Sequence, residues 1–297
     1  MRGAILVTGG TGQVGTSLRA VAGDRFELVM PSRAEMDLSD PASVAAFLAT
    51  RDDWAAVVSS GAYTGVDKAE SDVVAAWSAN AIGPAALAVA TKARGIPIVH
   101  ISTDYVFDGS KAGFYLESDP VAPLGVYGAS KEGGEQAVRS ANPAHVVLRT
   151  AWVVSPFGAN FVKTMLRLGA ERPELRVVAD QYGCPTSALD IAATVVAILD
   201  RLLAGEGAHG TYQFVNAGEA SWHDLAEAVI ARSASHGAPQ PPVTPITTAD
   251  FPTPARRPAN SRLSTAKLAA DYGITPRDWR EAVNEIVDTL MAEKKAA

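Results

Sequence analysis

The chain has 297 residues, enough for one large α/β domain with an appended lobe, and its 47% hydrophobic and 20% charged residues are an ordinary globular composition. Lys and Arg number 26 against 32 Asp and Glu, a net charge of −6, which argues against a nucleic-acid partner. A single cysteine, Cys184, excludes an internal disulfide and a multi-cysteine metal cluster. The N-terminal apolar stretch is only strand-length, and no apolar run approaches the roughly 18 residues of a membrane span. The expectation is a cytoplasmic protein with no membrane partner.

In chain order, Ala4–Thr8 reads as a strand stopped by glycines and Gln13–Val21 as a helix. Phe26–Met30 is a second strand. Ser39-Asp40-Pro41 starts a helix over Ala42–Ala49. Ala56–Ser59 is a third strand, and Val73–Ala93 a long Ala-rich helix with a break expected near Gly83-Pro84. Ile96–Ser102 is a fourth strand, Tyr127–Ser140 a helix and Ala144–Thr150 a fifth strand. Continuously apolar strands separated by helices predict a Rossmann-type, doubly wound parallel sheet covered on both faces over residues 1–150. Residues 151–297 read mainly as a smaller α/β substrate lobe, with the chain free to cross between the two. Short strands are expected at Arg176–Ala179 and Tyr212–Val215. Capping boxes are expected at Ser187/Asp190, Ser221/Asp224 and Thr275/Asp278, with Pro276 as first helical residue. The proline-rich segment His236–Pro258 reads as a long ordered loop, and the terminal AEKKAA as a solvated tail.

Gly9, Gly12 and Gly15 follow the first strand and open a helix. The first suits a tight turn, the second the approach of a pyrophosphate, and the third helix–strand packing. The helix N-terminus offers N–H donors to phosphates. At the end of the second strand, where an NAD site usually carries an acid, stand Pro31, Ser32 and Arg33. Ser32 and Arg33 would attract a 2′-phosphate, so NADPH is favoured, with NADH as the alternative.

Tyr127 and Lys131 share a helix face four residues apart. A phenol titrates near 10, and a neighbouring ammonium is expected to lower that value. Lys131 is also placed to hold a nicotinamide ribose. Thr103, at the end of the fourth strand, is placed to donate a hydrogen bond to the same substrate oxygen.

Together these residues resemble the extended short-chain dehydrogenase/reductase superfamily. Within it, the blocks GTGQVG, YTGVDKAE, STDYVFDG, PLGVYGASKEGGE, RTAWV, NFVKTMLRL, DQYGCPT and RPANSRL resemble the dTDP-4-dehydrorhamnose reductase family over nearly the whole chain. The resemblance implies hydride transfer from a nicotinamide to C4 of a dTDP-linked 4-keto-6-deoxy sugar. It implies Tyr127 as proton donor, Lys131 tuning it and Thr103 orienting the carbonyl. Gly12, Gln13 and Val14 would meet the pyrophosphate. Asp37 and Leu38 would lie by the adenine, and Gly61, Ala62 and Tyr63 would line the cofactor. The substrate-facing set is Thr64, Thr103, Asp104, Tyr127, Trp152 and Arg257. Some relatives form a magnesium-bridged dimer through glutamates. Ser17 and Leu189 stand at the matching positions and cannot ligate magnesium, so no metal is expected and the protein is read as a monomer or homodimer.

Two alternatives compete. A sugar-nucleotide dehydratase or epimerase is disfavoured by the missing acid after the second strand and by Tyr105 following Asp104, where dehydratases need paired carboxylates. A non-catalytic protein like the methionine adenosyltransferase regulatory subunit is disfavoured by the intact Thr103, Tyr127 and Lys131. His100 and His223 are read as structural, Cys184 as a structural thiol, and the Asp67–Glu70 run as ordering a wall of the cleft.

Overall fold

In the computed structural model, which describes residues 3–296, six parallel strands form the central sheet. They are β1 (Ala4–Thr8), β2 (Leu28–Val29), β3 (Trp54–Ser59), β4 (Ile98–Thr103), β5 (His145–Thr150) and β6 (Gly210–Gln213), in the order β6-β5-β4-β3-β1-β2. Helices α1 (Gln13–Ala22), α2 (Pro41–Leu48), α3 (Val73–Arg94), α4 (Val126–Ala141) and α5 (Ala188–Leu203) cover its faces. Side-chain alternation explains the two layers. Ile5 and Val7 of β1 pack with Leu18 of α1 and Ile191, Val195 and Ile198 of α5. Ala4 and Leu6 point the other way, to Leu48 of α2, Leu87 of α3 and Val138 of α4. Both faces of each strand are therefore apolar, the doubly wound arrangement expected. Strand order reverses between β1 and β3, which opens a crevice at their carboxyl ends.

After β5 the chain leaves the sheet and returns to it for α5 and β6, which pairs with β5 from Gly210 to Gln213. The second lobe gathers around the fully buried Trp279, with Val162, Leu225, Val229, Ile286 and Val287. Its helices are Phe161–Glu171, Trp222–Ala234 and Trp279–Ala296.

Several elements differ from expectation. The strands Leu175–Val178 and Gly210–Gln213 begin one and two residues earlier than predicted. α3 does not break at Gly83-Pro84. A π-helical turn at Ser78–Ile82 absorbs the proline, with Gly83 N–H bonding the Ser78 carbonyl. The Asn80 carbonyl, which Pro84 cannot serve, faces Gly134 of α4 so closely that a Cβ there would sit 2.1 Å away. α3 is, contrary to the sequence reading, long and apolar enough to cross a membrane by length and composition. Here Leu87 and Ala88 are buried in the sheet's core, while Val74, Ile82 and Val89 are exposed.

Of the three expected capping boxes only Ser221/Asp224 closes in full, and an unexpected one closes at Thr247/Asp250. Ser187 caps α5 by accepting from Leu189 N–H, but Asp190 turns to Asn216 and Arg277 instead. Thr275 starts no helix. Asp278 accepts from Arg280 N–H at 2.7 Å, and the last helix begins at Trp279. The segment 236–258 is not all loop, because Val243–Ile246 adds a parallel strand to Leu175–Val178. Pro245 is tolerated there because the strand has a partner on one side only. The terminal segment is helical through Ala296, and Ala297 lies outside the described residues.

Candidate active site

The glycine turn is built from close backbone approach. A Cβ on Gly9, which has φ +70°, would lie 2.6 Å from Gly61 Cα, and one on Gly15 would lie 2.3 Å from the Gly9 carbonyl oxygen. The turns after β1 and β3 thus touch, at the reversal point of the sheet. Gly12 precedes α1 with no side-chain cap and no acid in the first turn. By contrast, Asp40 caps α2 and Glu70 accepts from Val126 N–H, at the start of α4, at 2.8 Å. The uncapped N–H groups of α1 and the glycine cradle fit a dinucleotide pyrophosphate. The Gln13 side chain is engaged elsewhere: its Oε1 accepts from Ser155 at 2.8 Å and Asn160 at 3.1 Å, tying the turn to the second lobe.

Beyond β2, Ser32 and Arg33 are exposed, and Arg33 Nε lies 3.6 Å from Asp37. Asp37 accepts from the backbone and hydroxyl of Ser39, which hold its carboxyl below the usual range. Leu38 packs against Gly61 and Gly83. After β3, Tyr63 N–H donates to Asn80 Oδ1 at 2.7 Å and its hydroxyl donates to Asp72 at 3.0 Å. Thr64 is exposed and Ala62 half-buried.

At the end of β4, Thr103 donates to Asp104 Oδ1 at 2.9 Å and accepts from Tyr105 N–H at 3.3 Å. The Thr103 hydroxyl neighbours the Tyr127 phenol and by itself favours its ionised form. Tyr105 meets the Tyr127 ring edge-on, with centroids 5.4 Å apart. The expectation for Tyr127 needs correcting. Burial pushes its phenol well above the usual value, the negative charge of Asp104 adds to that, and Lys131 contributes nothing to it. Lys131 instead donates to the Ile101 carbonyl at 2.6 Å, and burial pushes its ammonium down to about 8. Behind it, Glu135 and Arg149, both buried, form a two-pronged ion pair at 2.9 and 2.7 Å.

Trp152 follows β5 with φ 47°, the one non-glycine residue in the left-handed region among the described residues. Its indole stacks on Trp222 at 3.6 Å, and a Cβ on Gly183 would strike it at 2.4 Å. Beside this stack opens a cavity of about 510 Å³ lined by Phe161, Met165, Arg172, Arg176, Trp222 and Arg257. Arg257 donates to the Tyr105 hydroxyl at 3.0 Å and to Asp67 at 2.9 Å. The Asp67–Glu70 run therefore orders the wall of the cleft. Arg262, five residues further on, donates to Glu219 and Asn260.

Cys184 is buried and its thiol is pushed up to about 12 by burial, as befits a structural group. His100 is buried against the Ser59 hydroxyl. His223, Asp224 and Glu227 bring potential ligand atoms within 4.8 Å of one another, but Asp224 closes the capping box and His223 bonds the Val243 carbonyl. Sequence reasoning missed Asn80. Fully buried in the π turn, it holds Tyr63 on one side and Ser130, next to Lys131, on the other. Its one signal was the Gly83-Pro84 pair just beyond it.

A glycine cradle at the reversal point of a doubly wound sheet, with Thr103 at the carboxyl end of β4 and Tyr127 and Lys131 on α4, defines the class of extended short-chain dehydrogenases/reductases. The chain belongs to the family described as RmlD substrate binding domain, whose model matches residues 1–292. The dTDP-4-dehydrorhamnose reductase of Sinorhizobium fredii is 45% identical over 297 residues, covering 99% of each chain. A crystal structure of a dTDP-4-dehydrorhamnose reductase from Clostridium acetobutylicum has a TM-score of 0.91 at 37% identity, covering 97% of this chain and 99% of that one. That of dTDP-4-dehydrorhamnose reductase from Bacillus anthracis in complex with NADP has a TM-score of 0.90 at 32% identity, covering 97% and 100%.

Proposed function

We propose that the chain uses NADPH to reduce the C4 ketone of dTDP-4-dehydro-L-rhamnose to dTDP-L-rhamnose, in the cytoplasm. The observation that carries this reading is the neighbouring Thr103 and Tyr127, with Lys131 one turn on, at the carboxyl end of β4, on the same edge of the parallel sheet as the glycine cradle after β1. When bound, the nicotinamide supplies a hydride. The protein's own part is to meet the negative charge on the ketone oxygen. Tyr127, held protonated by burial, gives that oxygen a proton. Thr103 orients the carbonyl. Lys131, anchored on the Ile101 carbonyl, presents a cation to the cofactor ribose and to the Tyr127 side of the cleft. Trp152, clamped between Gly183 and Trp222, forms the sugar-facing wall. Arg257, with Arg172 and Arg176 around the adjoining cavity, supplies positive charge for the dTDP diphosphate. Stoichiometric NADPH oxidation with dTDP-4-dehydrorhamnose tests the reading; recovery of the substrate with no net oxidation rejects it in favour of an epimerase or a binding protein.

Cofactor choice rests on the turn after β2. Arg33 is 83% exposed and paired only loosely with Asp37, which leaves its guanidinium available to a 2′-phosphate. Arg33→Ala is expected to raise the KM for NADPH roughly tenfold, as suits one solvent-exposed charge-assisted contact, with little change for NADH. Equal effects on both cofactors would contradict it.

A further inference from the structure

A threonine hydroxyl has one proton to give and two lone pairs. In this structure the Thr103 proton goes to Asp104 Oδ1 at 2.9 Å, and its oxygen receives Tyr105 N–H at 3.3 Å, with the Tyr127 phenol as a further neighbour. A ketone oxygen only accepts hydrogen bonds, so it needs donors, and the Thr103 donor points at a carboxylate. Resting on the reductase reading above, we infer that Asp104 is a positioning residue whose own proton decides whether Thr103 can donate to the substrate. With Asp104 ionised, Thr103 donates to it. With Asp104 neutral, the Asp104 O–H donates to Thr103, and the Thr103 proton turns to the ketone. The proton count is unchanged on Thr103 in either state. The Tyr127 phenol then meets the same oxygen.

The site suits such a switch. Asp104 is 3% exposed, and burial raises its carboxyl to about 6 against the pull of the Ser261 and Thr103 hydroxyls. The titratable groups that feel its charge are Tyr127 on α4, Tyr105 on its own turn and Cys184 from the second lobe. Arg257 stands one ring away, bonded to the Tyr105 hydroxyl.

The test is the pH profile of kcat/KM for dTDP-4-dehydrorhamnose at saturating NADPH, which reports groups of the enzyme free of the sugar nucleotide. Wild type is expected to lose activity as pH rises through about 6, where Asp104 ionises, by roughly tenfold per pH unit for one required proton. Asp104→Asn keeps an acceptor and a permanent donor. Its profile is expected to run level until about 8, where Lys131 loses its proton. In a Thr103→Val background, adding Asp104→Asn is expected to change little, because the hydroxyl through which it acts is gone. A carbon-13 carboxyl titration of the protein by nuclear magnetic resonance follows Asp104 independently of turnover. An Asp104→Asn profile that keeps the wild-type decline overturns the inference while leaving the reductase reading intact. A wild type that oxidises no NADPH with this sugar overturns the reductase reading itself.

Discussion

Tyr127→Phe is expected to cut turnover about 10²–10⁴-fold, the range for loss of a positioned general acid, while NADPH binding and the fold survive. The ring stays, so its edge-on contact with Tyr105 is kept and α4 retains its packing. What goes is the phenol hydroxyl that neighbours Thr103 at the end of β4. Burial is what makes the group useful here. A phenol held above its ordinary value remains protonated across the physiological range, the form a reductase needs when negative charge grows on the ketone oxygen. The measurement is kcat by NADPH oxidation, with cofactor binding followed by fluorescence titration. A purified variant that binds NADPH normally and turns over within a few-fold of wild type would refute the assignment.

Arg149→Met is expected to cost about 3–5 kcal/mol of stability, the usual penalty for removing one partner of a buried ion pair. Arg149 is 3% exposed and Glu135 0%, and their two contacts are 2.9 and 2.7 Å long. Burial by itself would raise the Glu135 carboxyl. The Arg149 bonds outweigh it, with help from Arg139 at 2.8 Å, and hold the group below its ordinary value. The sign follows from that depression. The stability it contributes is fully present above the unfolded carboxylate value near 4.5 and is lost as pH falls below it. The deficit of the variant is therefore expected to be largest at neutral pH, on the order of 10 °C in Tm. It should shrink on acidification as Glu135 takes up a proton. The double change Glu135→Leu with Arg149→Met is expected to recover much of the loss, since no lone charge is left buried. Thermal melts across pH decide it, and a single variant within about 1 kcal/mol of wild type would show that the pair does not matter for stability. Glu135 stands on α4 one turn beyond Lys131, so the single variant is also expected to disturb Lys131, whose ammonium Glu135 supports.

Local pattern alone determined the layered fold. Strands apolar on both faces, such as Ala4–Thr8, need two covering layers, and helices between them leave a parallel sheet as the arrangement that supplies both. The glycine cradle and the Tyr127/Lys131 spacing were legible for the same reason: turn geometry and a shared helix face act over a few residues. Features set by distant partners were not legible. Whether Gly83-Pro84 breaks α3 depends on Gly134 of another helix, whose missing side chain leaves room for the Asn80 carbonyl at close range. Asp190 and Asp278 sit at capping spacing, yet Arg277 and Asn216 draw the first away, and the second caps a later start. Pro245 enters a strand because only one edge needs its hydrogen bonds. Above all, the electrostatics of the site belong to burial. From the sequence, Lys131 should lower the Tyr127 phenol. In the folded chain the ammonium is drawn to the Ile101 carbonyl, and low-dielectric packing around the phenol dominates, so that desolvation and the Asp104 charge decide its protonation.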